Sequence, residues 1–182
     1  YTPIHASLTT APFALGGFIG SAAGGMLMHK VGRSIVQAGL AVMGIGLLAL
    51  YAVLESAGTS VGSWDIVGPM LVSGIGMGAI WVPMFEIIVG DVADHEVGSA
   101  SGVLQAVQQL GMSLGIAAIG TVFFGAIGSH AARADFVSAA ELTTLITVGL
   151  IAAAFAVSHL LPRQARQPHA SADFANAEPA LA

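Results

Sequence analysis

The chain has 182 residues, of which 55% are hydrophobic and 8% charged, with no cysteine and a formal net charge of −5. A soluble domain carries about 25% charged residues, so this composition indicates a membrane protein and argues against a soluble enzyme. The small, scattered charge excludes the basic surface that nucleic-acid binding requires. The absence of cysteine excludes disulfides and thiolate metal sites.

Five long apolar runs dominate the sequence, at residues 8–28, 34–54, 66–90, 99–127 and 142–161. An α-helix needs about 20 apolar residues to cross the hydrocarbon layer, and every run is long enough. Because backbone groups in lipid must satisfy their own hydrogen bonds, each run is predicted to be a helix. The predicted fold is therefore all-α, a polytopic membrane bundle of five transmembrane helices over residues 1–162. Residues 163–182, which are rich in Ala, Pro and polar groups, are predicted to form a disordered cytoplasmic tail.

The distribution of basic residues predicts the orientation of the bundle. With five spans, Lys30, Arg33, Arg163 and Arg166 fall on one side of the membrane and Arg133 falls on the other. The side with more Lys and Arg is normally cytoplasmic. We therefore expect a multi-pass protein of the plasma membrane whose C-terminus is cytoplasmic.

Small residues recur four positions apart in three of the runs, a spacing that lets helix backbones approach closely in lipid. The ladders are Gly16, Gly20 and Gly24; Gly17, Ser21 and Gly25; Gly74 and Gly78; Gly98 and Gly102; and Gly111 and Gly115. All of them are predicted to lie at helix–helix contacts.

The fourth run carries a polar stripe. Ser101, Gln105, Gln108 and Gln109 recur at helical spacing, and Met112 continues the same side. Buried amides in lipid are costly unless they are paired or wetted. The stripe therefore either joins helices through hydrogen bonds or lines a water-accessible substrate path, where a flexible methionine suits varied ligands.

Among Asp, Glu, Lys and Arg, only Glu86 lies within the apolar runs. Ionisable groups inside a membrane are expensive and suggest a functional site. Pro83, three residues earlier, is predicted to kink the helix. A carboxyl group withdrawn from water can exchange a proton near neutral pH, so Glu86 is a candidate proton-coupling residue. The alternative is an interfacial glutamate that contacts water or a neighbouring helix.

Trp81 lies in the middle of the third run, beside Met77, Met84 and Phe85. This aromatic patch either packs against helices and lipid or offers a surface on which ligands stack. The acidic segment 91–96 is interpreted as a solvated turn, and no metal site is predicted.

Residues 25–34 resemble the loop signature of the major facilitator superfamily, in the weaker copy found in the C-terminal half of those transporters. The matching residues are Gly25, Leu27, Lys30, Gly32 and Arg33. The sequence departs from the signature at His29, where the family often has an aspartate that latches neighbouring helices. The resemblance implies that this segment forms a cytoplasmic gate loop.

A second, longer resemblance covers the third and fourth runs. Segments 74–83, 90–92, 98–103 and 108–111 are similar to the fourth and fifth helices of that C-terminal half, and most similar to the fourteen-helix drug:proton antiporter branch, its actinobacterial members especially. The resemblance extends over residues 1–162. It implies that the chain holds the last five helices of such a transporter. Since residue 1 is tyrosine, we expect a C-terminal fragment that nine further spans precede.

The resemblance implies a secondary transporter that works by alternating access between two halves. The expected activity is proton-coupled efflux of amphipathic drugs, driven by the proton gradient and without a cofactor. The alternatives are export of a metabolite or antibiotic, and a non-transporting scaffold formed by the fragment alone. An intramembrane hydrolase built on Ser101 and His159 is disfavoured, because no oxyanion loop accompanies them. The expected partners are lipid, a small-molecule substrate and the N-terminal half of the same transporter.

Overall fold

Five long helices make up nearly all of the computed structural model, which describes residues 3–32, 34–89, 92–93, 95–128 and 132–160. The helices are α1 (Pro3–Val31), α2 (Ser34–Ala57), α3 (Ser63–Val89), α4 (Val97–Ile127) and α5 (Arg133–Ser158), with a 3₁₀ turn at Gly58–Ser60 after α2. Each of the five is long and apolar enough to cross a membrane. The prediction of an all-α bundle with five spans is confirmed for the described residues. The predicted tail lies outside them.

Four of the five helices begin before their apolar runs, and two of these, α5 and α3, carry an aspartate in the first turn. α5 begins at Arg133, within the stretch predicted to be a loop, and α3 begins at Ser63. In both helices an aspartate in the first turn accepts a hydrogen bond from the backbone N–H that precedes the helix. Asp135 Oδ2 lies 2.9 Å from the N atom of Ala132, and Asp65 Oδ2 lies 2.8 Å from that of Gly62. The carboxylate satisfies an N–H group that the helix leaves free and complements the positive end of the helix dipole.

The Asp135→Ala substitution is expected to fray the start of α5. Losing such a cap costs about 1 kcal/mol, so the apparent Tm in detergent should fall by a few degrees. The thermal unfolding of the whole bundle, from which Tm is taken, is followed by the fluorescence of Trp64 and Trp81 on α3. Ser138→Ala, on the exposed side of the same helix, is the control and should leave Tm unchanged; an equal fall in both variants would contradict the capping role.

A glycine in the left-handed region of backbone space follows three of the helices: Gly32 after α1, Gly58 after α2 and Gly128 after α4. Gly32 has a φ of 57°, and its N–H donates to the carbonyl oxygen of Met28 at 2.9 Å. Its own carbonyl accepts from Ile35, near the start of α2. Gly128 ends α4 with a φ of 66°. A side chain at either position would strain the turn, which explains why the loop signature contains Gly32.

α3 lies between α1 and α2, and its contact with α1 is made through glycine. A methyl group on Gly20 would collide with the carbonyl oxygen of Ile75, and one on Gly78 would collide with that of Gly17. Gly16 and Gly74 are equally close to the backbone of the facing helix. The predicted packing of the ladders in the first and third runs is therefore confirmed.

The opposite side of α3 meets α2 in the same way. A methyl group on Gly39 would lie 2.9 Å from the carbonyl oxygen of Gly76, and one on Gly46 would overlap Ser73. Ser73 is buried, and its hydroxyl donates to the carbonyl oxygen of Pro69 at 2.8 Å. α1, α3 and α2 thus form a layer with backbone-to-backbone contact on both sides of α3.

α5 joins this layer to α4. A methyl group on Gly44 of α2 would lie 3.7 Å from Cγ2 of Ile151 on α5. At the other contact, the rings of Phe123 on α4 and Phe136 on α5 have centroids 6.4 Å apart. α4 contacts α5 mainly near its C-terminal end, and it is the least buried of the five helices.

Candidate functional site: the two sides of α4

The long helix α4 has two chemically different sides. Large apolar side chains occupy one of them, with exposed fractions between 60% and 70%: Val103, Val107, Leu110 and Leu114. With 3.6 residues per turn, the opposite side holds mainly glycine, glutamine and serine in its first four turns. In lipid, the side with large apolar groups is the one suited to face acyl chains.

The predicted polar stripe falls on that opposite side, within a single uninterrupted helix. Gln105 and Gln109 are exposed, Met112 is 48% exposed, and Ser101 and Gln108 are half-buried. The row of Gln105, Gln109 and Met112 therefore projects away from the described part of the bundle, whereas Ser101 and Gln108 turn partly towards it.

The glycines of α4 do not pack as the sequence analysis predicted. A methyl group added at Gly98, Gly102, Gly111 or Gly115 would meet no atom of the described residues within 4 Å. The reason is that α4 scarcely touches α3 and meets α5 chiefly through its C-terminal end. These ladders lie on a surface that is open in this structure, unlike those of α1 and α3.

An apolar groove of about 450 Å³ runs along the C-terminal half of α4. It is lined by Gly115, Ile116, Ile119, Gly120 and Phe123. Two of its lining residues are glycines, which have no side chain. The groove and the glutamine stripe adjoin each other along the helix.

The aromatic patch of α3 lies on the third side of that helix, which neither α1 nor α2 covers. Trp81 is 44% exposed and Phe85 is 45% exposed, while Met77 and Met84 are half-buried. The patch is open on one side, as either a lipid contact or a ligand surface requires.

Glu86 lies in the last turn but one of α3 and is half-buried. One turn earlier, Pro83 is fully buried, and its Cδ would lie 3.4 Å from a methyl group on Gly24. Because proline has no N–H, it cannot donate to the carbonyl oxygen of Ala79. α3 therefore lacks one hydrogen bond beside the turn that carries Glu86.

The loop signature is only partly within the described residues. Gly25 faces α3, where a methyl group would lie 3.8 Å from Cγ1 of Val82, and Leu27 is 43% exposed. Gly32 makes the turn between α1 and α2. The side chain of Lys30 and the whole of Arg33 lie outside the described residues, so the gate-loop role of the segment stays a prediction.

No group of three metal-ligating side chains is found among the residues that the structure describes. His95 and Glu96 lie 3.8 Å apart on an exposed turn. His159, proposed above only for a disfavoured hydrolase, has its Nδ1 atom 3.1 Å from the carbonyl oxygen of Phe155 on its own helix.

One polar residue was missed by the sequence analysis. Gln37 lies in the first turn of α2, and its Nε2 atom is buried without a hydrogen-bond partner among the described residues. A lone amide within an apolar run was the available signal.

A glycine-packed bundle of membrane-spanning helices with one amide-lined side defines a multi-pass membrane protein. The amino-acid sequence of the chain is similar to those of several curated proteins. The "Probable actinorhodin transporter" of Streptomyces coelicolor is 39% identical over 132 residues, which is 72% of this chain and 23% of that protein. The puromycin resistance protein pur8 of Streptomyces alboniger is 29% identical over 163 residues, 88% of this chain and 32% of that protein.

A third relative, the uncharacterized MFS-type transporter Rv1250 of Mycobacterium tuberculosis, is 31% identical over 125 residues, 65% of this chain and 20% of that protein. The chain is therefore homologous to transporters of the major facilitator superfamily over most of its length, and its five helices are consistent with part of one. It spans between a fifth and a third of the length of these relatives. No family profile and no solved structure matches the chain.

Proposed function

We propose that the chain is the C-terminal membrane part of a secondary transporter that exports amphipathic small molecules in exchange for protons. The observation that carries the proposal is the two-sided character of α4, with large apolar groups on one side and exposed amides on the other. The relatives support it, since their names describe an actinorhodin transporter and puromycin resistance.

In this proposal Gln105 and Gln109 line the path of the substrate. Both amides are exposed in the part of the chain that the structure describes, so neither joins α4 to a neighbouring helix there. An amide both donates and accepts hydrogen bonds, which suits ligands of varied polarity. Met112 adds an adaptable apolar surface next to them, and Trp81 of α3 offers an aromatic one.

Glu86 is the proposed proton-coupling residue. It is half-buried and lies near the end of α3 that the positive-inside rule places towards the cytoplasm. The missing hydrogen bond at Pro83 leaves the adjacent turn easier to bend. A change in the protonation of Glu86 would thereby be linked to movement of this end of α3.

The rest of the same transporter is the proposed partner. Transporters of this superfamily bind substrate between two halves and rock them around it, so the N-terminal half would supply the other wall of the path. The proposed location is the plasma membrane, with the C-terminus in the cytoplasm. Export of an antibiotic or metabolite that the cell itself makes is a second candidate, favoured by the relative named as an actinorhodin transporter.

Single cysteines test the path, because the chain has no cysteine of its own and any cysteine in the rest of the transporter can be replaced beforehand. In the full-length transporter, Gln105→Cys and Gln109→Cys are expected to react with a water-soluble maleimide, and substrate should slow the reaction several-fold. Leu114→Cys, on the large apolar side, is the control and should react only with a lipid-soluble maleimide. Failure of both glutamine positions to react would favour the alternative that the stripe joins helices.

Transport itself is measured in proteoliposomes. We expect a pH gradient to drive flux through the full-length protein and not through the 182-residue chain alone. Equal flux through both would contradict a path formed between two halves. Absence of flux through the full-length protein would favour the alternative of a membrane protein that does not transport.

A further inference from the structure

The contact between α2 and α5 shows which residues of the two helices lie at the same level. A methyl group on Gly44 of α2 would lie 3.7 Å from Cγ2 of Ile151 on α5. Five consecutive membrane-spanning helices alternate in direction, so α2 and α5 are antiparallel. Because seven residues make almost two full turns, positions seven residues from this contact face the same neighbour. This register places Gln37 opposite Ser158.

The burial of Ser158 agrees with this register. Ser158 is 4% exposed although it ends α5, and its neighbours Val157 and His159 are exposed. α4 meets α5 chiefly at the other end, where Phe123 lies beside Phe136, and neither α1 nor α3 contacts α5 in the described part of the chain. The described helix that can cover this last turn of α5 is therefore α2.

The two polar groups at this level have complementary chemistry. Nε2 of Gln37 is buried without a hydrogen-bond partner among the described residues, and a buried N–H group without an acceptor is costly. Oγ of Ser158 donates its proton to the carbonyl oxygen of Phe155 at 2.6 Å. Since a hydroxyl oxygen also has two lone pairs, it can accept a hydrogen bond from the amide at the same time.

The two helix ends at this level are held differently. The start of α2 belongs to an apolar cluster whose members are 8% exposed or less: Met28, Ile35 and Val36. The end of α5 has no comparable support, because the side chains of residues 152–157 are all exposed. A change in the separation of the two ends is therefore a movement of α5 against a fixed α2.

We propose that Gln37 and Ser158 form a clamp between α2 and α5 that opens and closes, and that is open in this structure. In the closed form the N–H of the Gln37 amide donates to Oγ of Ser158, and the end of α5 lies against the start of α2. Gln37 follows the Gly32 turn by little more than one helical turn. The closed clamp therefore ties the end of α5 to the link between α1 and α2.

This inference goes beyond the proposed function, since it assumes neither a substrate nor a coupling proton. It assigns a conformational role to an amide that lies away from α4 and from Glu86. It also accounts for a donor that is buried and unpaired in one form of the bundle, because the other form pairs it.

Distances between spin labels test the clamp in the full-length transporter, made cysteine-free and held in lipid nanodiscs. Labels on Ala38→Cys and Leu160→Cys, at exposed positions beside the two clamp residues, report the separation of the helix ends. We expect a short distance for the closed clamp and a long one for the open clamp. Gln37→Leu and Ser158→Ala should each reduce the short population roughly fivefold, because each removes one partner of the hydrogen bond.

Ser56→Ala is the matched control. The Ser56 hydroxyl donates to the carbonyl oxygen of Val53, three residues earlier, as the Ser158 hydroxyl does to that of Phe155. Ser56 is exposed near the C-terminal end of α2, so its substitution removes the same kind of local hydrogen bond without touching the clamp. Both populations should stay unchanged, and an equal effect of Ser56→Ala and Ser158→Ala would overturn the inference.

Two further outcomes would overturn it. One is a distribution of distances that neither Gln37→Leu nor Ser158→Ala changes. The other is a change in only one of these two variants, which would show that the two residues are not each other's partners. Gln37→Met keeps the length of the side chain without its donor, and it replaces Gln37→Leu in the comparison if that variant does not fold.

Discussion

Gly20→Leu is expected to prevent α1 from packing on α3. A side chain at this position would occupy the place of the Ile75 carbonyl oxygen, and a backbone atom cannot move aside by a rotamer change. Overpacking in a tight interior usually costs about 1–3 kcal/mol. Here the helices themselves must separate, so we expect a loss above that range. The measurements are the fraction recovered as a monodisperse species after detergent extraction and its Tm.

Ala22→Leu, two residues later on the exposed side of the same helix, is the matched control. It adds the same kind of side chain to α1 without meeting α3, so both the recovery and the Tm should stay at the level of the unsubstituted protein. A normal Tm for Gly20→Leu would show that the α1–α3 contact is wrong.

Glu86→Gln is expected to uncouple export from the proton gradient in the full-length transporter. Glutamine keeps the size and hydrogen-bonding capacity of the side chain but cannot exchange a proton. If Glu86 carries the coupling proton, efflux against a concentration gradient should fall at least tenfold, while exchange of substrate between the two sides persists. The pH dependence of the residual transport should flatten.

Glu55→Gln is the control. Glu55 is exposed near the C-terminal end of α2, and it lies outside the proposed path. It should transport with the pH profile of the unsubstituted protein. An unchanged pH profile of transport for Glu86→Gln would contradict the proton-coupling role. Glu86 would then be an interfacial glutamate that contacts water or a neighbouring helix.

The helices of this bundle could be predicted from the sequence because their cause is local. A run of about 20 apolar residues in lipid has no other way to satisfy its backbone, so the number of spans follows from composition. The start of α5 was not predicted, because its first turns include Arg133 and Asp135 and depend on the carboxylate of Asp135 reaching back to the Ala132 N–H. Hydropathy carries no signal for that hydrogen bond.

Which helices meet could be predicted only in part. The ladders of α1 and α3 have the expected four-residue spacing, and they do pack. The contact between α2 and α3 was missed, because Gly39 and Gly46 are two turns apart and meet α3 at Gly76 and Ser73. Such a contact depends on the register of two helices, which a single sequence does not specify. For the same reason, the sequence did not reveal that the glycines of α4 would lack a neighbouring helix among the described residues.

In the candidate site, too, local features could be predicted from the sequence, whereas features that depend on neighbouring helices could not. That the glutamines of α4 share a side could be predicted, since helical geometry alone decides it. That Gln105 is exposed whereas Gln108 is half-buried depends on what surrounds α4. The isolated amide nitrogen of Gln37 was likewise visible only once α2 had been placed against its neighbours.

The central position of α3 has a consequence for how such transporters diverge. Two of its three sides press against other backbones through Gly74, Gly76 and Gly78, so almost any enlargement there would be rejected by selection. The third side, with Trp81 and Phe85, has no such restriction. Saturation mutagenesis of α3 should therefore yield two intolerant stripes and one permissive stripe. Under the proposed function, new substrate preferences would arise along the permissive stripe.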